Sequence, residues 1–232
     1  MAIAREYNLF VVEDACQAIG AAYTFRDGTT KQAGTIGHIG CTSFFPSKNL
    51  GCYGDGGAIF TNDDALAEKM KAIANHGCFV RYHHDFVGVN SRLDSIQAAV
   101  LDAKLPHLND YIAARQHAAA YYDNAFANNP HILTPGRIEA STHVYHQYTL
   151  RLLDVNRDAV REELVARGVP AMIYYPIPLH LQQAYQDPRY QKGDFPVAEK
   201  LAACVLSLPM HTELDEEQLE YITRNVLEIV NL

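Results

Sequence analysis

The stretch that decides the fold is Asn8-Leu-Phe-Val-Val-Glu-Asp-Ala-Cys-Gln17. Its apolar run over residues 8–12 ends in acidic residues, and a continuous apolar run with polar ends is typical of a buried parallel strand. Ligands of open α/β sheets bind beyond the carboxyl ends of such strands. We therefore expect Asp14 and Gln17 to lie at a ligand-binding edge, while the alternative is that Asp14 caps a following helix.

The composition is that of a globular protein. Of 232 residues, 48% are apolar and 20% are charged, which argues against disorder, and the net charge of −8 argues against a nucleic-acid binder with a basic face. No apolar run approaches the ~18 residues of a membrane-spanning helix, and no signal-peptide pattern is present. The five cysteines are odd in number and scattered, so we expect no disulfide framework and a reducing, cytoplasmic location.

A second strand, at residues 41–45, leads Lys48 into a loop that contains Pro46 and the four glycines of residues 51–57. A lysine in a partly desolvated site becomes a nucleophile toward aldehydes, and the alternative is a surface lysine in a turn. The glycines match neither the Walker pattern nor the GxGxxG fingerprint. We interpret them as a conformational loop that lets the backbone pass close to a ligand.

Helices and strands alternate along the rest of the chain. We predict strands at residues 58–61, 144–153 and 172–175, and helices at residues 62–74, from about 91, from 106 to about 128, at 156–166, at 196–206 and from 215. The expected helix caps are Asn62 or Asp63, Asn156, and a capping box of Asp215 with Gln218. Asn129-Pro130 and Pro135-Gly136 indicate a linker. We therefore divide the chain into domains at residues 1–128 and 129–232, of which the second is small and α+β.

Two further groups of polar residues lie between the helix at residues 62–74 and the start of the helix near residue 91. Asn90 or Ser91 is expected to cap the helix near residue 91. Arg92, in the first turn, is unfavourable for the helix dipole and suits the binding of an anion. The histidines of residues 76–84 suggest a metal, but no HExxH or CxxC pattern supports one, so we expect no metal site.

Five motifs occur in one order along the chain: Glu13-Asp14-Ala-Cys-Gln17-Ala, Ser43-Phe-Phe-Pro-Ser-Lys48-Asn-Leu-Gly51, Gly54-Asp55-Gly56-Gly57-Ala, Asn75-His76-Gly77 and Gly88-Val-Asn90-Ser-Arg92-Leu-Asp94-Ser-Ile-Gln97-Ala-Ala. Together they resemble the DegT/DnrJ/EryC1/StrS family of PLP-dependent nucleotide-sugar aminotransferases, which have fold type I. The resemblance implies an α/β fold class. Residues 1–128 would be the C-terminal part of the large, PLP-binding domain, a mixed sheet with flanking helices, followed by the small C-terminal domain.

The resemblance implies a role for each matching position. Lys48 would form the Schiff base with pyridoxal 5′-phosphate (PLP) and move protons at the substrate carbon, and Asp14 would pair with the pyridinium nitrogen. Gln17 would contact the ring 3-oxygen and Ser43 the cofactor phosphate. Asn90 would reach the phosphate of the neighbouring subunit's cofactor, so the expected assembly is a homodimer with shared sites.

The substrates implied by the resemblance are a keto sugar nucleotide and glutamate as amino donor. Arg92, Tyr174, Tyr175 and His180 would bind the sugar nucleotide. The YHHDFVGVNSRLDSIQAA stretch resembles enzymes that act on UDP-linked acetamido sugars of bacterial surface polysaccharide.

One departure from the family pattern bears on activity. Relatives carry a further segment ahead of the Asp14 strand, and we expect it to be missing here, so this chain alone would bind PLP poorly. The alternatives are a non-catalytic or regulatory remnant and a PLP- or PMP-dependent sugar dehydratase. The dehydratases carry histidine in place of the Schiff-base lysine, so Lys48 argues against them.

Overall fold

The computed structural model describes all 232 residues. Its helices are α1 (Ala2–Glu6), α2 (Asp64–Ala74), α3 (Ser95–Lys104), α4 (Leu108–Phe126), α5 (Arg157–Ala166), α6 (Pro196–Cys204) and α7 (Glu216–Val230). Its strands are β1 (Val12–Asp14), β2 (Ala22–Thr24), β3 (Thr30–Gln32), β4 (Ile39–Ser43), β5 (Gly57–Phe60), β6 (Cys78–Val80), β7 (His83–His84), β8 (Ile132–Leu133), β9 (Tyr148–Leu152) and β10 (Val205–Leu208). Short 3₁₀ helices cover Leu105–His107, Leu179–Leu181 and Gln183–Tyr185. None of the helices combines the length and apolarity needed to cross a membrane.

These elements form two compact units. The N-terminal unit comprises Met1–Ile112 with Ile138–His146, and the C-terminal unit comprises Ala113–Arg137 with Gln147–Leu232. Helix α4 belongs to both units, because the division falls inside it. The compact units therefore do not coincide with the predicted single boundary after residue 128, and the assignment of domains stays a prediction.

The N-terminal unit is built on a mixed three-stranded sheet of order β1-β4-β5. β1 runs parallel to β4, with Asp14 opposite Cys41, and β5 runs antiparallel to β4. Alternate residues of β4, Gly40 and Thr42, are buried, as expected for a strand with one covered face. The expected mixed sheet with flanking helices is confirmed.

The apolar run at residues 8–12 is not the buried strand that its pattern predicts. Strand β1 begins only at Val12, which is 61% exposed, and Phe10 is 83% exposed with its ring edge-on to His38. In this chain β1 hydrogen-bonds to β4 alone and is an edge strand of the sheet.

Three predicted helix caps are confirmed. The side chains of Asp63 and Asn156 accept backbone N–H groups from the first turns of α2 and α5. Asp215 and Gln218 form the expected capping box at the start of α7, in which each side chain accepts the backbone N–H of the other residue. These helix starts are specified by local sequence.

Helix α3 starts later than predicted, because the residues before it are held extended. Neither Asn90 nor Ser91 caps it, since α3 begins at Ser95. Ser91 donates its backbone N–H to the Ala74 carbonyl oxygen at 2.9 Å, and Asn90 forms a β-bridge with Asn75. These bonds to the end of α2 keep residues 90 and 91 extended, so the helix cannot begin there.

The C-terminal unit packs helices against an antiparallel sheet of order β10-β9-β8. The helix predicted to reach residue 206 ends at Cys204, and β10 begins at Val205. All four residues of β10 are buried in the sheet. The predicted strand at residues 172–175 is reduced to one bridge between Met172 and Ser207. Pro176 and Pro178 follow, and proline lacks the N–H that would extend a ladder.

Candidate active site

Two strands of the N-terminal unit deliver polar side chains to the same edge of the sheet. Asp14 is the last residue of β1, and Ser43 is the last residue of β4. Because these strands are parallel, their carboxyl ends meet where open α/β sheets bind ligands. Gln17 lies in the turn after β1, and Lys48 lies in the turn after β4.

Asp14 is held in its ionised form. Its carboxylate accepts the backbone N–H of Cys16 at 3.1 Å. The pKa of Asp14 is lowered by a hydrogen bond from the Cys16 thiol and, next, by this backbone hydrogen bond. Burial raises the pKa, and the positive charge of nearby Lys48 lowers it further. In return the carboxylate, chiefly through its hydrogen bond, raises the pKa of the Cys16 thiol to about 11. The thiol therefore keeps its proton and continues to donate.

The alternative role of Asp14 as a helix cap is wrong, because no helix follows it. The chain instead makes consecutive turns, with the Ala18 N–H bonded to the Ala15 carbonyl oxygen at 3.0 Å and the Ala21 N–H to that of Ala18 at 2.9 Å. Asp14 is exposed at the sheet edge, where its charge can meet a ligand.

Lys48 lies on a loop that is anchored in the core of the N-terminal unit. Its backbone N–H lies 2.8 Å from the Phe45 carbonyl oxygen, and the residue is half-buried. The anchoring residues form one buried apolar cluster: Phe44, Leu50, Cys52 and Leu101. Lys48 is half-buried, and its charge is close enough to Asp14 to lower the pKa of that carboxyl group. The alternative interpretation was a fully solvated lysine in a surface turn.

The glycines of this loop allow the protein to pack against itself. A Cβ atom on Gly51 would lie 2.4 Å from the Pro46 carbonyl oxygen, and one on Gly56 would lie 2.9 Å from Cys52 Sγ. The loop closes with the Phe44 N–H bonded to the Gly56 carbonyl oxygen at 2.8 Å. The predicted close approach of backbone is present, but it is an approach to other parts of the protein.

Asn90 and Arg92 form a second polar group in the same unit. Arg92 Nε donates to Asn90 Oδ1 at 3.2 Å, and both residues are exposed. Arg92 and Lys71 line a cavity of about 360 Å³ that also contains Glu68. Two positive charges against one negative charge favour an anionic group there.

Tyr174, Tyr175 and His180 lie in the C-terminal unit. The two tyrosine rings meet edge to face at 5.5 Å, with Tyr174 half-buried and Tyr175 65% exposed. His180 Nε2 lies 3.0 Å from Glu199 Oε1, and its ring packs against Phe195. His180 is therefore a fixed side chain.

The histidine-rich hairpin of β6 and β7 pairs one cysteine with one histidine. Cys78 Sγ lies 3.0 Å from His84 Nδ1. No group of three or more His, Cys, Asp or Glu side chains that could hold a metal ion occurs in the structure.

Residues 1–227 match the sequence profile of the DegT/DnrJ/EryC1/StrS aminotransferase family. The chain belongs to this family. It is 45% identical over 229 residues to the pleiotropic regulatory protein of Geobacillus stearothermophilus, a match that covers 98% of this chain and 60% of that protein. It is 48% identical over 221 residues to UDP-2-acetamido-2-deoxy-3-oxo-D-glucuronate aminotransferase of Pseudomonas aeruginosa, covering 95% of this chain and 58% of that enzyme.

Solved structures of the DegT/DnrJ/EryC1/StrS family share the fold. The crystal structure of S. venezuelae DesV has a TM-score of 0.92 and 38% identity, and the match covers 100% of this chain and 60% of that one. A DegT DnrJ EryC1 StrS aminotransferase from Brucella abortus has a TM-score of 0.89 and 39% identity, with the same coverage of 100% and 60%. The expected family and α/β fold class are confirmed. The chain spans about 60% of the length of these relatives.

Sequence reasoning missed Glu13, which braces the turn beside the candidate site. Its carboxylate accepts the backbone N–H groups of Gly34 at 2.9 Å, Ile36 at 2.6 Å and Gly37 at 2.5 Å, and so holds the turn that leads into β4. The motif itself carried a signal for this role. Adjacent residues of a strand face opposite sides, so Glu13 and Asp14 could not both contact one ligand.

Asn49 and Lys104 brace the loop that carries Lys48. Asn49 Nδ2 donates to the Val144 carbonyl oxygen at 2.7 Å, and Lys104 Nζ donates to the Gly51 carbonyl oxygen at 2.5 Å. No local pattern points to these contacts, because each partner is far away in the sequence.

Proposed function

We propose that this chain supplies the reactive lysine and its carboxylate partner to a PLP-dependent transamination, in which a keto sugar nucleotide becomes an amino sugar nucleotide and glutamate is the amino donor. The observation that carries this function is ionised Asp14 close to half-buried Lys48 at one edge of the sheet. Membership of an aminotransferase family supports it, as do relatives whose names are those of sugar transaminases.

The residues at the sheet edge fit pyridoxal 5′-phosphate. When bound, this cofactor supplies an aldehyde that condenses with amines and a protonated ring that takes up electrons. Asp14, ionised and exposed, is suited to hold the ring nitrogen in its protonated form. Gln17 and Ser43 follow or end the same two strands, and we assign them to the ring 3-oxygen and the phosphate.

Lys48 acts at two stages in this proposal. Its Nζ would hold the cofactor aldehyde in the resting enzyme, and as a free amine it would carry a proton at the substrate carbon. Both tasks require an amine that is placed accurately and is not fully solvated, which the anchored loop provides. Histidine replaces this lysine in the related dehydratases, so Lys48 favours transamination over dehydration.

The proposed substrate is a UDP-linked acetamido keto sugar used for bacterial surface polysaccharide. Two relatives that are 48% and 45% identical carry names of aminotransferases of UDP-linked sugars. Arg92, with Lys71 beside it, offers positive charge to the diphosphate. Tyr174, Tyr175 and His180 offer hydroxyl and imidazole groups to the sugar.

We further propose a homodimer with shared active sites. The chain from β6 to Asn90 exposes several large apolar side chains: Phe79 at 55%, Val80 at 62%, Tyr82 at 77% and Val87 at 98%. Apolar exposure of this kind is typical of an interface, and a two-fold axis would use the same patch on both chains. Asn90 would then reach the cofactor phosphate held near Lys48 of the partner subunit. We place the dimer in the cytoplasm, since its five cysteines are free.

Borohydride reduction in the presence of PLP tests the role of Lys48. In a version extended to the full length of the relatives, we expect a stable cofactor label on the Lys48 peptide in the mass spectrum. Lys48→Ala should lose the label, whereas a control substitution of exposed Lys192 by Ala should keep it. The same extended protein should transfer the amino group of glutamate to a UDP-linked keto sugar. Labelling of other lysines only would overturn the proposal.

Mixing two inactive variants tests the shared site. Lys48→Ala chains and Asn90→Ala chains are combined, and the amino-transfer rate is measured in the full-length enzyme. Shared sites predict that a mixed dimer regains one intact site. No recovery from dimers shown to have exchanged subunits would mean that each chain serves its own cofactor.

A further inference from the structure

One stretch of the C-terminal unit has little structural support of its own. Residues 180–193, here the 180–193 segment, contain no strand and only short 3₁₀ turns. Tyr185 at its centre is 65% exposed. Its internal hydrogen bonds, including the ion pair of Arg189 with Asp187, all stay within residues 177–194. Residues outside the segment hold it in place: Glu199 contacts its two ends, and the Tyr190 ring packs against Phe195 with 5.3 Å between centroids.

Glu199, on α6, holds both ends of this segment with one oxygen atom. Its Oε1 accepts the Gly193 backbone N–H at 2.7 Å and lies 3.0 Å from His180 Nε2. The His180 and Glu199 side chains are only 9% and 17% exposed, so water competes weakly for these bonds. The bond from Gly193, followed by the weaker effect of His180, lowers the pKa of Glu199 against the effect of burial, which keeps the carboxylate ionised.

The same contact defines the state of the His180 ring. An ionised carboxylate can only accept hydrogen bonds, so His180 Nε2 must carry the hydrogen. In the neutral ring Nδ1 is then the acceptor. The Phe195 ring, 4.7 Å away between centroids, packs against the imidazole and limits its rotation.

We propose that Glu199 is a positioning residue, which fastens the 180–193 segment to α6 and fixes His180 as its Nε2–H tautomer, so that Nδ1 is the atom offered to a sugar hydroxyl. The contact with substrate rests on the proposed function. The fastening and the tautomer are properties of the chain alone, and both can be measured without cofactor or substrate.

Limited trypsin digestion measures the fastening, because the segment contains Arg189 and Lys192 as cleavage sites. Glu199→Ala should raise the rate of cleavage at these sites about tenfold or more, since local opening exposes them. Glu199→Gln keeps one acceptor oxygen and should give a smaller increase. Glu162→Ala, at an exposed position of α5, is the control and should be cut like the native chain.

Two checks separate local opening from general unfolding. Cleavage at Arg161, inside α5, should stay slow in every variant that remains folded. If Glu199→Ala fails this check, Glu199→Gln carries the test. A folded variant of either kind with native cleavage rates at Arg189 and Lys192 would overturn the fastening.

Nitrogen-15 NMR of the imidazole measures the tautomer. The native chain should show a hydrogen on Nε2 and none on Nδ1 of His180, and Glu199→Ala should shift the ring to a mixture of the two neutral forms. An unchanged ring in this variant would overturn tautomer selection by Glu199.

The substrate contact is tested last, in the full-length enzyme. Glu199→Gln should raise the KM for the sugar nucleotide several-fold and leave the KM for glutamate unchanged. Faster cleavage without any change in the KM for the sugar nucleotide would leave the fastening intact and overturn the contact of His180 with the sugar. Absence of all transamination in the native enzyme would instead contradict the proposed function alone.

Discussion

The two regions proposed to meet the substrate are supported in opposite ways. At the sheet edge, Asp14 and Lys48 depend on main-chain hydrogen bonds and on a loop anchored in a buried apolar cluster. In the C-terminal unit, the 180–193 segment depends on the Glu199 carboxylate and on the Phe195 ring, against which the His180 and Tyr190 rings pack. The proposed reaction centre is thus placed by the folding core, whereas the segment proposed to meet the sugar is held by two side chains. We therefore expect changes in the second region to cost less stability than changes beneath the Lys48 loop.

The largest effect is expected at Lys48. Lys48→Ala removes the only amine that the proposal uses, so the transamination rate of the full-length enzyme should fall at least about a thousandfold. The free energy of unfolding should change little, because the apolar cluster beneath the loop is untouched. Exposed Lys192→Ala should keep the native rate. Appreciable turnover by Lys48→Ala would remove the sheet edge as the reaction site.

Asp14→Asn should give the next largest loss. The substitution keeps the shape of the side chain and removes its charge, and the rate should fall by about 10²–10³-fold, as for other preorganised charges. Asp102→Asn, on the exposed side of α3, is the matched control. A near-native rate for Asp14→Asn would show that its charge does not support the chemistry.

Asp14→Asn should also change the reactivity of Cys16, with no cofactor present. The carboxylate raises the pKa of this thiol to about 11. Without it the pKa falls, so the thiolate fraction at a fixed pH of about 9 rises, and alkylation by iodoacetamide should become several-fold faster. Peptide mass spectrometry gives the rate, with Cys204 as internal reference. An unchanged Cys16 rate would contradict the link between the two side chains.

Gly51→Ala should destabilise the protein, because it disturbs the packing of the loop that carries Lys48. Its Cβ would lie 2.4 Å from the Pro46 carbonyl oxygen, and overpacking of this kind costs about 1–3 kcal/mol in the free energy of unfolding. Gly136→Ala is the control, because nothing lies within 4 Å of its Cβ position. Equal urea midpoints for the two variants would show that the Lys48 loop is not tightly packed.

The smallest effect is expected in the 180–193 segment. Tyr185 is 65% exposed, so Tyr185→Ala should change the free energy of unfolding by no more than about 0.5 kcal/mol. Urea denaturation beside Gly51→Ala compares the two regions directly. A loss at Tyr185 as large as that at Gly51 would end the contrast between an anchored loop and a tethered segment.

Local patterns in the sequence predicted a large part of the structure. The caps at Asp63, Asn156 and Asp215 are confirmed, because a cap and the N–H groups that it accepts lie within one turn of each other. The apolar pattern of residues 8–12 was misleading, since burial depends on which strands and layers lie beside a strand. The start of α3 was also misplaced, because a bridge to the end of α2 keeps the preceding residues extended.

The order of five motifs was enough to identify the family, and with it the α/β class and the candidates Asp14 and Lys48. Motifs carry this information because the residues that make a cofactor site sit at fixed spacings around strand ends. Tertiary structure alone decided which neighbours support them: Glu13 holds backbone groups 21 to 24 residues away, and Asn49 bonds to a carbonyl 95 residues away. Such partners are selected by the packing of distant segments, and no local spacing records them.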